Sequence, residues 1–164
     1  MTGAGSWSLS ESDYRRISEH LTELLRESDA RCAMVVDRTG QLLATVGEAP
    51  SFDPTVFASL TAADFSANDQ LAKMIGEPEF ASLFHQGQKE SMYLADVGRR
   101  LILVVLFDQR TTVGLVRLRV KRTVQDLSQL INEMFGRPSQ GQPESQKGAL
   151  LEGAEDEIDK LFDD

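Results

Sequence analysis

Residues 101–107 (LILVVLF) constrain this chain more than any other stretch. Seven apolar residues in a row are too few to span a bilayer as a helix, which takes about 20. Their length suits a strand, and the lack of polar alternation means that neither face of that strand is wet. A strand covered on both faces needs paired neighbours and a helical layer on each side of the sheet. The 164 residues, 41% of them hydrophobic, leave room for one such domain.

The remaining periodicities supply the other parts. Ser10-Glu11-Ser12-Asp13 opens a helix whose apolar positions Tyr14, Ile17, Leu21, Leu24 and Leu25 follow three- and four-residue steps to about Ser28. Residues 31–37 and 41–47 read as two strands joined by the turn Arg38-Thr39-Gly40. Asp53-Pro54 starts a long helix over 53–75, since a carboxylate caps free N–H groups and proline fits the first turn. Gly76-Glu77-Pro78 stops it, and 79–89 reads as a loop with a short turn at 80–85. Three strands are expected next, at 90–97, 99–107 and 111–118. In the last, Val116, Leu118 and Val120 alternate with Arg117, Arg119 and Lys121. A closing helix over 121–135 carries Val124, Leu127, Leu130, Ile131, Met134 and Phe135 at helical spacing. The fold class is therefore α+β: an α-β-β-α-β-β-β-α chain with a five-stranded antiparallel sheet and helices on both faces.

Within the long helix, Leu60 is expected at the centre of the buried face, with Val56, Phe57, Ala63, Ala67, Leu71, Met74 and Ile75 around it. The opposite side then carries Ala58, Ser59, Ala62, Phe65, Ser66, Asp69 and Lys73. Small residues there let another backbone come close, so the helix is expected to be packed on from both sides.

Four segments follow from composition: a flexible start over 1–9, the domain over 10–135, a Gly/Pro/Ser/Gln linker over 136–148, and an acidic peptide over 149–164. The peptide repeats Leu150, Leu151, Ala154, Ile158, Leu161 and Phe162 at helical steps, which suits a segment that orders in a partner's groove through Ile158, Leu161 and Phe162. Of the net charge of −9, −6 lies beyond residue 138. An acidic tail on a weakly acidic body disfavours nucleic acid and anionic membranes as partners. No export signal or membrane span is legible, so the expected site of action is the cytoplasm.

Chemistry-bearing residues are sparse. The single cysteine, Cys32, sits among strand residues and reads as core packing. His20 and His85 have no ligand-like spacing partner, so no metal or cofactor is expected. Asp37, Asp108 and Asp126 suit turn and cap roles. Arg99, Arg100 and Arg110 fall on exposed turns, whereas Arg117 and Arg119 fall on a strand's wet face. No phosphate-binding Gly-x-x-x-x-Gly-Lys-Ser/Thr loop exists, so the chain is not expected to bind or hydrolyse GTP itself.

The order of elements, the stretch FASLTAADFSANDQLAKMIGEPEF, Ser91-Met92-Tyr93-Leu94 and the segment LILVVLFDQRTTVGLVRLRVKR together resemble the Roadblock / dynein light-chain family. Within it, the likeness is to bacterial members that regulate a Ras-like GTPase of the MglA type. Glu157-Ile158-Asp159-Lys160-Leu161-Phe162 is similar to their terminal peptide. The resemblance implies a homodimer in which strand 90–97 is an edge that pairs with its copy, with Ala58, Phe65, Ala72, Ser91 and Tyr93 at the interface. It implies a GTPase seated on Ser59, Ala62, Ala63, Ser66, Asp69 and Gln70, activated without a donated arginine by repositioning its own switch residues. Cell polarity or motility, with concentration at a cell pole, belongs to the same implication. The alternative is a scaffold that binds other Roadblock or polarity proteins without speeding hydrolysis. The larger side chains of Ser66 and Gln70, where relatives favour Ala and Gly, suit it. A small-molecule sensor is a third reading, and the 7% aromatic content argues against it.

Overall fold

Ser10 caps the first helix by a reciprocal pair of bonds. Its Oγ accepts from the Asp13 N–H at 3.1 Å, and its own N–H donates to Asp13 Oδ2 at 3.3 Å. The computed structural model describes residues 8–136. Over that span the elements run α1 (Glu11–Ser28), β1 (Cys32–Asp37), β2 (Leu42–Gly47), α2 (Pro54–Met74), β3 (Ser82–Gln86), β4 (Glu90–Val97), β5 (Leu101–Asp108) and α3 (Val113–Gly136). The expected linker and amphipathic peptide lie outside the described residues, apart from Gly136, which ends α3.

The five strands form one sheet in the order β2-β1-β5-β4-β3, with every neighbouring pair antiparallel. β5 lies at its centre, and Leu101 to Val105 are buried without a break, as the apolar run requires. β1 is buried along its whole length. Cys32, Met34 and Val36 pack with Leu94, Ile102 and Val104 against Ala58 and Phe65 of α2. Strand alternation turns Ala33, Val35, Leu103 and Val105 to the other face, where α1 and α3 form the covering layer. Those two helices run antiparallel, tied by Arg16–Glu133 (3.0 Å), His20–Asp126 (4.0 Å) and Glu27–Arg119 (3.5 Å).

Two segments depart from the sequence expectation, and the departures offset each other in the strand count. Residues 82–86 are a strand rather than part of a loop, with Leu83 opposite Leu94 and Phe84 opposite Tyr93. β4 is therefore interior, and the edge after the long helix is β3. Residues 111–118, expected as a strand, instead open α3. The alternation at 116–121 is real in sequence, yet Val116, Val120, Thr123 and Leu127 bury at steps of four, three and four. Thr112 was the overlooked signal: its Oγ1 accepts from the Leu115 N–H at 3.2 Å, and its carbonyl accepts from the Val116 N–H at 3.0 Å. Arg117 and Arg119 accordingly sit on a helix.

An ionic cluster fastens one end of the sheet. Arg31 donates to Glu48 at 2.7 Å and pairs with Glu90. Arg110 donates to Glu48 at 3.1 Å and to Asp108 at 3.0 Å. The arginines hold the Glu48 and Asp108 carboxyls below the usual carboxylate range, chiefly through the side-chain bonds from Arg31 to Glu48 and from Arg110 to Asp108. Asp37 closes the β1–β2 turn, its Oδ1 accepting from the Thr39 N–H, the Thr39 hydroxyl and the Gln41 N–H.

Two stability predictions follow from this frame. Gly47 has φ +103°, and a Cβ there would stand 2.4 Å from the Arg31 carbonyl oxygen and 2.6 Å from Leu25 Cδ1. Gly47→Ala should lower unfolding stability in urea by about 2 kcal/mol or more. Gly114→Ala, on a helix with nothing within 4 Å, should raise it by about 0.5 kcal/mol. The second concerns pH. Glu48 and Asp108 bind protons less readily folded than unfolded, so the folded state holds fewer protons in the carboxylate range and stability rises with pH there. Their contribution is complete above that range and lost as pH falls through and below it. Urea midpoints between about pH 7 and pH 3 should therefore fall less steeply in Glu48→Gln than in the parent.

Candidate interaction surface

α2 is held to the sheet by its small side and one large anchor. Asp53 Oδ1 accepts from the Thr55 N–H at 2.9 Å and Pro54 follows, so the helix starts as the sequence expects. Its buried residues are Ala58, Thr61, Ala62, Phe65, Asn68 and Ala72. Phe65 is fully buried, and the Arg38 guanidinium lies 4.8 Å from its ring centre. Arg38 also donates to Asp69 at 2.8 Å and pairs with Asp96, which ties the β1–β2 turn to both α2 and β4. A Cβ on Gly40 would stand 3.0 Å from the Ser59 Cα, so the same turn abuts α2 one helical stretch earlier.

This seating reverses the expected faces of α2. Ala58, Ala62, Phe65 and Ala72 pack inward, while Val56 (55% exposed), Leu60 (64%), Leu71 (58%), Met74 (82%) and Ile75 (70%) face out. Ala63 and Ala67 lie exposed between them. The steps 56, 60, 63, 67, 71, 74 make a continuous apolar stripe along the helix. Both sides of α2 are apolar, so periodicity alone cannot choose between them. The small residues win the inner side because they let the helix axis approach the sheet, leaving Phe65 to fill the space. Apolar stripes of this extent on one chain mark an interaction surface.

The expected site residues divide accordingly. Ala58, Phe65 and Ala72, expected at a dimer interface, are inside the chain's own core and unavailable to a second copy. Tyr93 is buried and Ser91 half-buried on β4, which is an interior strand. Of the residues expected to meet a GTPase, Ser59, Ser66 and Gln70 are exposed beside the apolar stripe, and Ala63 is exposed within it. Ala62 is buried, and Asp69 is half-buried and engaged by Arg38. Sequence reading missed Arg38 as the brace of α2, and it placed Val56, Leu60, Leu71, Met74 and Ile75 on the wrong side. Phe65 alone among small neighbours was the signal that could have settled the matter.

β3 is the outer strand on one side of the sheet. His85 of β3 lies 2.6 Å from Asp64 of α2, which joins the edge strand to the helix. Cys32 is buried, and burial pushes its thiol up, away from the thiolate form a nucleophile needs. A cleft of about 300 Å³ beside it is lined by Arg31, Glu48, Pro50, Phe52 and Leu106, but its charged groups already pair with one another. Among the described residues there is no cluster of three or more His, Cys, Asp or Glu that could hold a metal, and no helix is long and apolar enough to cross a membrane. Arg99 pairs with Glu79 at 3.1 Å, while Arg110 belongs to the ionic cluster.

Comparison with known proteins agrees with this architecture. The Roadblock/LC7 domain family matches residues 16–107. Among solved structures, MglB of Myxococcus xanthus is similar at 39% identity and a TM-score of 0.73, covering 78% of this chain and 96% of that one. The gliding protein MglB of Thermus thermophilus matches at 35% identity and the same TM-score, over 78% and 97%. An uncharacterized protein of Methanocaldococcus jannaschii is 29% identical over 68% of this chain and 96% of its own length. With the order of elements, the antiparallel sheet and more than half of the chain matched, the protein belongs to the Roadblock/LC7 family and is MglB-like within it.

Proposed function

We propose that this chain is a homodimeric regulator of a Ras-like small GTPase of the MglA type and stimulates GTP hydrolysis by ordering the partner's own switch residues, in the service of cell polarity or motility. The observation that carries the reading is the exposed apolar stripe of α2, flanked by Ser59, Ser66 and Gln70, together with the free edge of β3 in the same sheet. The 39% identity to MglB of Myxococcus xanthus supports the choice of partner. Pairing of two β3 edges would extend the sheet across a two-fold axis and set two α2 helices side by side, covering both the strand edge and Val56, Leu60, Leu71, Met74 and Ile75. One solved MglB is described in a tetrameric arrangement.

The partner would then rest on Ser59, Ala63, Ser66 and Gln70, where no long charged side chain intervenes. A rigid dimer surface that holds switch segments in one geometry lowers the barrier by orientation and by aiming the partner's own groups at the developing charge. The acidic peptide, through Ile158, Leu161 and Phe162, would add a tethered second contact to the partner. A scaffold reading is favoured by one feature: Gln70 projects from the stripe and would hold a close-packed switch segment away.

Single-turnover hydrolysis by the MglA-like GTPase of the same organism tests the proposal. The expected result is acceleration of about tenfold or more, equal to about 1.4 kcal/mol off the barrier. Binding of the GTP-loaded GTPase without acceleration would establish the scaffold instead. Leu60→Asp with Leu71→Asp should abolish both self-association and acceleration, while the lone chain keeps its fold by circular dichroism because both side chains are exposed on it.

A further inference from the structure

α3 carries a second outward feature, on the layer opposite α2. Gly114, Arg117, Leu118, Lys121, Arg122 and Gln125 form its exposed line, and Leu118 at the centre is 62% exposed. Arg119, on the flank, pairs with Glu27. Arg117, Lys121 and Arg122 have no ion pair among the described residues. The nearest acids, Glu23, Glu27 and Asp126, line the cleft between α1 and α3 on the Arg122 side.

Helix stability does not explain this placement. Backbone dipoles favour acids in a helix's first turn and cations in its last, yet α3 has neither, and its cations crowd into the first half. Arg117 and Lys121, four residues apart, also repel each other. Three cations gathered around an exposed leucine, with Arg117 and Lys121 outside that acid-lined cleft, make a positive face that an acidic segment would complement.

We propose that this α3 face docks an acidic segment of another protein, with carboxylates on Arg117, Lys121 and Arg122 and an apolar side chain on Leu118. A lipid surface fits less well, because one exposed apolar side chain anchors weakly and a strongly acidic chain is repelled by anionic headgroups. The site lies on the layer away from α2, so it stands or falls independently of the GTPase reading.

The test is titration of the full chain with a short labelled peptide of Asp, Glu and Leu, its leucines at helical spacing, followed by fluorescence anisotropy. The same peptide in Asn, Gln and Leu and vesicles of phosphatidylglycerol are titrated in parallel. The acidic peptide should bind and the neutral one should not. Arg117→Glu with Lys121→Glu should weaken binding at least tenfold, and Leu118→Ser should weaken it too, whereas Asn132→Ala, exposed farther along α3, should leave it unchanged. Zero-length carbodiimide coupling should join the peptide to Lys121 and not to Lys73 and Lys89, which are also exposed. Undiminished binding by the charge-reversed variant would overturn the proposal. So would coupling spread evenly over the three lysines, or binding of vesicles but not of the peptide.

Discussion

The seating of Phe65 beneath α2 decides what the rest of the molecule can do. A fully buried phenylalanine is worth about 2–3 kcal/mol, and it is reached here only because Ala58, Ala62 and Ala72 bring the helix close to β1 and β5. Arg38 reinforces the choice by covering the Phe65 ring and pairing with Asp69 and Asp96. The consequence is that five large apolar side chains are turned outward. The isolated chain forgoes their burial, and association would recover it. The outward stripe is thus a product of how the core is filled.

Much of this architecture was legible in the amino-acid sequence because it rests on local chemistry. The Ser10 and Asp53 caps and the Arg38-Thr39-Gly40 turn depend on neighbours in the chain, the unbroken apolar run marks the central strand by itself, and all are found where expected, with Leu101 to Val105 buried. What failed depended on tertiary context. β3 is five residues with a mixed pattern, and it is a strand because β4 offers it a ladder. The start of α3 alternates like a strand, but Thr112 caps it and Val116 and Val120 turn toward the core. The faces of α2 could not be read from period alone, since both are apolar. Each candidate site residue on α2 inherited that ambiguity, which is why Ser59, Ala63, Ser66 and Gln70 remain accessible while Ala58, Ala62, Phe65 and Ala72 do not.

The two helical layers emerge with different surfaces. The α2 layer is apolar and small-residued, beside a free strand edge, and suits a second copy together with a closely fitting globular partner. The α3 layer is cationic around one leucine and suits a charged segment. A sheet sealed on both faces separates them, so both surfaces could be occupied at once.

In the proposed assembly the α2 stripe and the β3 edge form one association surface. Amide hydrogen exchange of β3, residues 82–86, measured at high and at low protein concentration, tests it most directly. In a lone chain the outward N–H groups of that edge have no ladder partner. If two copies pair there, these amides are protected at high concentration, together with the α2 segment, and lose protection on dilution. Fast exchange of the β3 edge at every concentration would contradict it.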